Sequence, residues 1–246
     1  MTSSEPNPWE RYRLAAQKSE RQSEGHHLDS TAPYSHQQAP RSRGGGRVSR
    51  WWRQQGLSTS DTAIIIVALL GLLATSAVLF QSSGIVSTGA FGLIALVPLG
   101  LVTWVLTRSD SLASMPLRYM LFAAAWGAGV ATAGAAVVNT ALFEDFIHYL
   151  GDVGSAEVRA AVVVAPFSEE ILKGLGVALI LVVGRRFVVS VSNGVAVGGL
   201  AGAGFAFTEN ILYFAQAHAE GTSSLGITIF ARAVMSPFVH PLATSF

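Results

Sequence analysis

Long apolar stretches separated by short polar ones dominate the chain beyond residue 58. Six such segments stand out, at 62–80, 84–107, 117–140, 158–183, 193–217 and 225–246. Each is close to the roughly 20 residues a helix needs to cross about 30 Å of hydrocarbon. Strands of a membrane barrel would be shorter and would alternate in polarity, and these do not. The pattern predicts an all-α fold, a polytopic transmembrane bundle of about six helices. Glycine and proline interrupt several segments, which membrane helices tolerate where neighbours satisfy the freed backbone groups.

Residues 1–58 read differently. They are polar, rich in Ser, Gln, Pro, Gly and Arg, and bury too little apolar area to fold, so a disordered tail is expected ahead of a membrane domain at 59–246. His26, His27 and His36 are scattered through the tail and form no evident metal site. The run "RSRGGGRVSRWWRQQ" reads as a basic arm on anionic lipid headgroups, with Trp51 and Trp52 at headgroup level. One short basic run without a folded reader is no basis for nucleic-acid binding.

Charge sets orientation loop by loop. Nine of the 16 Lys and Arg residues precede residue 54, which predicts a cytoplasmic N-terminus; an integral, multi-pass plasma membrane protein is expected. Arg108 and Arg118 flank the second connection, and Arg185 and Arg186 mark the fourth. The connection at 141–157 is acidic, and those at 81–83 and 218–224 carry no Lys or Arg, so the two sides alternate consistently. The first apolar run begins only near Thr62, so no N-terminal signal peptide is expected. The absence of cysteine excludes disulfides, zinc fingers and a thiol nucleophile. The chain stops at "HPLATSF", still apolar, and reads as a fragment truncated at its C-terminus.

The fourth segment carries Glu169, Glu170 and Lys173 at its centre. Three independent charges at that depth would cost about 8–10 kcal/mol, while each large apolar residue returns only about 0.3–0.6 kcal/mol. They therefore need partners or water. Lys173 follows Glu170 by three residues and Glu169 by four, so one carboxylate pairs with it and the other is left over, about 100° around the helix. Pro166 is expected to kink the helix just before them.

The fifth segment offers Gly194, Gly198 and Gly202 as a close-packing face, with Phe205, Glu209 and Asn210 further along. Counted from the outer surface, Glu169 and Glu209 lie at similar depth. A plain structural role for Glu209 would be to neutralise Lys173. In the sixth segment Pro237 and Pro241 flank His240, predicting a helix broken around it, and Arg232 is one more buried charge that could pair with a carboxylate.

"PFSEEILKG", "GFAFTENILYF" and "HPLAT" resemble the three signature segments of the PrsW family of membrane-embedded proteases, over about residues 117–246. That family is similar to the CAAX prenyl protease and bacteriocin-immunity superfamily. There the second motif has a histidine where this chain has Glu209, and related enzymes carry His-x-x-x-Asn where this chain has His240 and Thr244. The resemblance implies an intramembrane protease cutting membrane-associated proteins, anti-sigma factors among them.

Peptide hydrolysis needs a water, a base and stabilisation of the oxyanion. A carboxylate stripped of water holds a proton more tightly, which suits a base working near neutral pH. Glu169 is the expected base, with Glu170 and Lys173 positioning it. Glu209 and His240 are the expected metal ligands, or else orient the water. Zinc suits that donor set, making the chain a metalloendopeptidase, although the His-Glu-x-x-His helix of soluble zinc proteases is absent. A metal-free water activated by glutamate is the direct rival. Two other classes stay open: a proton- or ion-coupled transporter, and a non-catalytic membrane scaffold.

Overall fold

A computed structural model describes residues 58–108 and 115–245. The polar tail, its basic arm and the three tail histidines lie outside the described residues. Every regular element described is helical. Helix α1 is Thr59–Ser83 and α2 is Ile85–Arg108. Helix α3 spans Leu117–Leu150. Helix α4 runs through Val153–Arg159, Ala160–Val164 and Ala165–Val183. Helix α5 is Val191–Glu220, α6 is Thr222–Met235 and α7 is Val239–Ser245, the last two meeting at 40°.

All six apolar segments are therefore helical, in an all-α polytopic membrane protein. Four helices (α1, α2, α3 and α5) are long and apolar enough to cross a membrane, and the bent α6–α7 pair makes up to five. Helix α4 is long enough too, but Glu169, Glu170 and Lys173 leave its Ala165–Val183 stretch short of uniform apolarity. The helix surfaces facing outward are apolar, as a lipid solvent requires: Leu69, Leu70 and Leu73 of α1 are all exposed.

The connections are tighter than the sequence predicts. The expected acidic loop at 141–157 is almost entirely helix, broken only at Gly151 and Asp152. Glycines with positive φ end α1, α3 and α5, at Gly84, Gly151 and Gly221. Only glycine takes those angles cheaply, so these helices run past the apolar boundary and stop where a glycine lets the chain reverse.

Helix α5 is the centre of the bundle, with 72% of its apolar window buried against 22% in α1. Small residues make that possible. A Cβ on Gly127 of α3 would strike the Ala201 carbonyl, and one on Gly204 of α5 would strike that of Ala124. Backbones at such distances pack by dispersion, the main attraction available between helices in lipid.

Three helices contain a π turn: Trp126–Ala131 in α3, Ala160–Val164 in α4 and Ala231–Met235 in α6. A π turn inserts one residue and frees carbonyls from the regular ladder. In α3, Thr132 donates to the Gly127 carbonyl at 2.8 Å, Thr208 of α5 to that of Ala128 at 2.7 Å, and Thr75 of α1 to that of Gly129 at 2.9 Å. The widened turn thus locks α3 to both neighbours. In α4 the π turn directly precedes Pro166, which lies in the first turn of the α-helical stretch that follows. The irregularity seen beside Pro166 is this π turn, with helix on both sides of it.

Candidate active site

The charged side chains reach the site from four helices. Glu169, Glu170 and Lys173 lie on α4, Glu209 on α5, Arg232 on the π turn of α6 and His240 in the first turn of α7. Helix α7 is seated by the glycine face of α5. A Cβ on Gly202 would collide with the His240 carbonyl, and one on Gly198 with that of Thr244. Gly194 has open space at its Cβ position, so the close-packed face begins one turn later than the sequence predicts. The chain breaks at 236–238, on the N-terminal side of His240 only. Pro241 lies inside α7, in its first turn, where the N–H it lacks has no helical partner to lose. The break expected around His240 is therefore present, and it lies on the N-terminal side of that residue.

Lys173 is the hub, with no exposed side-chain surface. Its Nζ donates to Glu170 Oε1 at 2.6 Å and lies 3.6 Å from Glu169 Oε2. Both carboxylates are within its reach, where spacing alone assigns it one. It also lies 3.1 Å from His240 Nδ1 and 4.0 Å above the Phe205 ring. An ammonium only donates, so Nδ1 accepts and the ring proton belongs on Nε2. That nitrogen faces Glu209 Oε2 at 2.9 Å. Glu170 is held a second time by the Thr244 hydroxyl, at 3.0 Å from Oε2.

Glu209 does not serve as the partner of Lys173. Arg232 Nη2 donates to Glu209 Oε2 at 2.6 Å, Arg232 Nε donates to Asn210 Oδ1 at 2.7 Å, and the guanidinium stacks 3.9 Å from the Tyr213 ring centre. Arg232, Asn210 and Thr244 are therefore parts of the site that motif spacing alone does not assign. Arg232 was within reach of a depth count: from the turn at Gly221, Glu209 lies twelve residues back and Arg232 eleven forward. Phe205, four residues before Glu209, sits under both Lys173 and the His240 ring.

One ligand atom from each of Glu169, Glu209 and His240 lies within 4.8 Å of the other two. Two carboxylate oxygens and an imidazole nitrogen are a donor set that suits zinc and its first-row neighbours. Three carboxylates face Lys173 and Arg232, leaving one formal negative charge with His240 neutral, and that excess also favours a cation. To hold a metal ion there, His240 Nε2 would have to give up its proton and its contact with Glu209; otherwise the arrangement can polarise a water beside Glu169.

The model of the PrsW family of intramembrane metalloproteases matches residues 115–246, which include all of α3 to α7 and every residue of this cluster. No curated protein and no solved structure matches the chain significantly. The match covers more than half the chain and contains the whole charged centre, so the chain belongs to the PrsW family and is a membrane-embedded protease.

Proposed function

We propose that the chain hydrolyses peptide bonds of membrane proteins with a water activated by Glu169. The observation that carries this is the convergence of Glu169, Glu209 and His240 within 4.8 Å, inside the family match. Glu169 takes a proton from the water as its oxygen bonds to the peptide carbonyl carbon. The same proton then passes to the amide nitrogen as the C–N bond breaks. Lys173 fixes the direction of Glu169, and Glu170 and Thr244 hold Lys173 and α7 in register.

Glu209 and His240 would hold the metal, with zinc the favoured ion. What such an ion supplies when bound is Lewis acidity toward the carbonyl and the water. Glu169 lies close enough to be a third ligand, so its role as base needs a direct test. Glu169→Gln protein purified in mild detergent should retain about one metal per chain and cleave nothing. Loss of the metal in that variant would make Glu169 a ligand instead.

A metal-free mechanism has one observation in its favour. Glu209 Oε2 already accepts from Arg232 and contacts His240 Nε2, at 2.6 and 2.9 Å. Cleavage that survives exhaustive chelation would select it. Anti-sigma factors are the substrate class the resemblance suggests. A cytoplasmic N-terminus in the plasma membrane, with the basic arm on anionic lipid, completes the proposal.

A further inference from the structure

Beside the charged centre lies a cavity of about 250 Å³ between α2, α5 and the α6–α7 bend. Its walls are apolar. Pro98, Leu99 and Val102 of α2 form one side, and Ala203, Ala206 and Phe207 of α5 form another. Its far end is polar, formed by Asn210, Arg232, Ser236 and His240. His240 thus belongs both to the charged centre and to this cavity, and Arg232 reaches Glu209 from its wall. The space exists because Ala203 and Ala206 are small and because the break at 236–238 turns the chain aside.

The geometry points to a specificity pocket that takes one apolar side chain of the substrate, next to the bond that is cut. This rests on the peptidase reading. A core cavity of about 150 Å³ accommodates benzene, so this one takes a group of leucine to phenylalanine size. A side chain arriving from lipid gains no hydrophobic driving force, since lipid tails are as apolar as leucine. Occupancy therefore selects on fit, and the pocket works as a size gauge. A lipid tail would fill the apolar part but has no use for the polar end. A peptide brings a carbonyl and an N–H beside every side chain, and the Asn210 amide and Arg232 guanidinium can meet them. The α2 wall precedes the family match, so the gauge is set partly by residues outside the shared protease core.

Two readouts test the pocket. In the first, the full chain in mild detergent cleaves β-casein and the cut sites are mapped by mass spectrometry. Wild type should cut beside Leu, Met or Phe. Ala206→Leu should lower the Leu-to-Ala ratio at the cut position by at least about tenfold, a single-pocket discrimination of ordinary size. Leu99→Ala should shift it the other way, toward Trp. Unchanged profiles in two active variants overturn the pocket.

The second readout needs no catalysis. Glu169→Gln protein is irradiated with a polyleucine transmembrane peptide carrying a diazirine leucine. Crosslinks should fall on Ala206, Phe207 and Val239, and disappear when Ala206→Leu is added. Crosslinks scattered over the lipid-facing helices and indifferent to Ala206→Leu would mean that lipid fills the cavity, and would overturn the proposal. Crosslinks at the three positions in a wild-type chain that cleaves nothing would keep the pocket and remove the peptidase reading.

Discussion

Lys173 contacts both neighbouring carboxylates and His240 while wholly excluded from solvent. A charge in that position is tolerable only with its partners in place, and the partners depend on it equally. Lys173→Met should lower stability by about 3–5 kcal/mol, read as thermal unfolding in detergent, because it strands Glu169 and Glu170. Thr244→Val should be milder. It removes one hydrogen bond to Glu170, worth about 1 kcal/mol, and should cut kcat/KM roughly fivefold, with Thr244→Ser restoring it. At this scale the sequence was informative where residues share a helix, as Glu169, Glu170 and Lys173 do. It marked Arg232 as a charge that needs a carboxylate, which Glu209 supplies, but did not say which one, and it was uninformative about Thr244, because such partners are set by how separate helices dock. Burial cost alone shows that a charge needs a partner and leaves the partner unnamed.

The spacing of four between Gly198 and Gly202 marked a bare helix face, and α7 is the element that covers it. Substituting one of these glycines should act on the site at a distance. Gly202→Val should displace the His240 backbone, abolishing cleavage while helix content by circular dichroism stays within error. Gly194→Ala, with open space at its Cβ position, should change neither. Thr208→Val should cost about 1–3 kcal/mol, because the buried Ala128 carbonyl then loses this donor. The π turns themselves were not legible. No local residue signal demands one, and each depends on threonines or packing from other helices. Pro166 hinted at an irregularity in α4 without revealing its form.

The whole bundle is apolar outside and polar at its centre, and hydropathy shows that without any structure. Six apolar segments emerged in the right order; the sixth is a bent pair of shorter helices, and the connections are shorter than expected because a helix can outlast the apolar zone that defines it. If α4 and the α6–α7 pair both cross, the turns at Gly84, Gly151 and Gly221 share one face of the membrane and the 184–190 turn lies on the other. The chain contains no cysteine, so single cysteines report cleanly. Ser155→Cys and Ser223→Cys, exposed beside the turns at Gly151 and Gly221, should react with an impermeant maleimide added outside intact cells, and Arg186→Cys only after lysis. The reverse result would invert the proposed orientation.

The π turn at Ala160–Val164 gives the molecule a phase as well as a shape. One surplus residue there sets the angular offset between the start of α4 and the charges that follow it. Val162 faces outward, so Val162→Leu should pass unnoticed. Removing Val162 altogether should yield a more regular helix and a dead enzyme. The downstream stretch would then turn by about 100° and shift by about 1.5 Å against the rest. In this segment the count of residues matters more than their identity, and drift in sequence should be forgiven where drift in length is not.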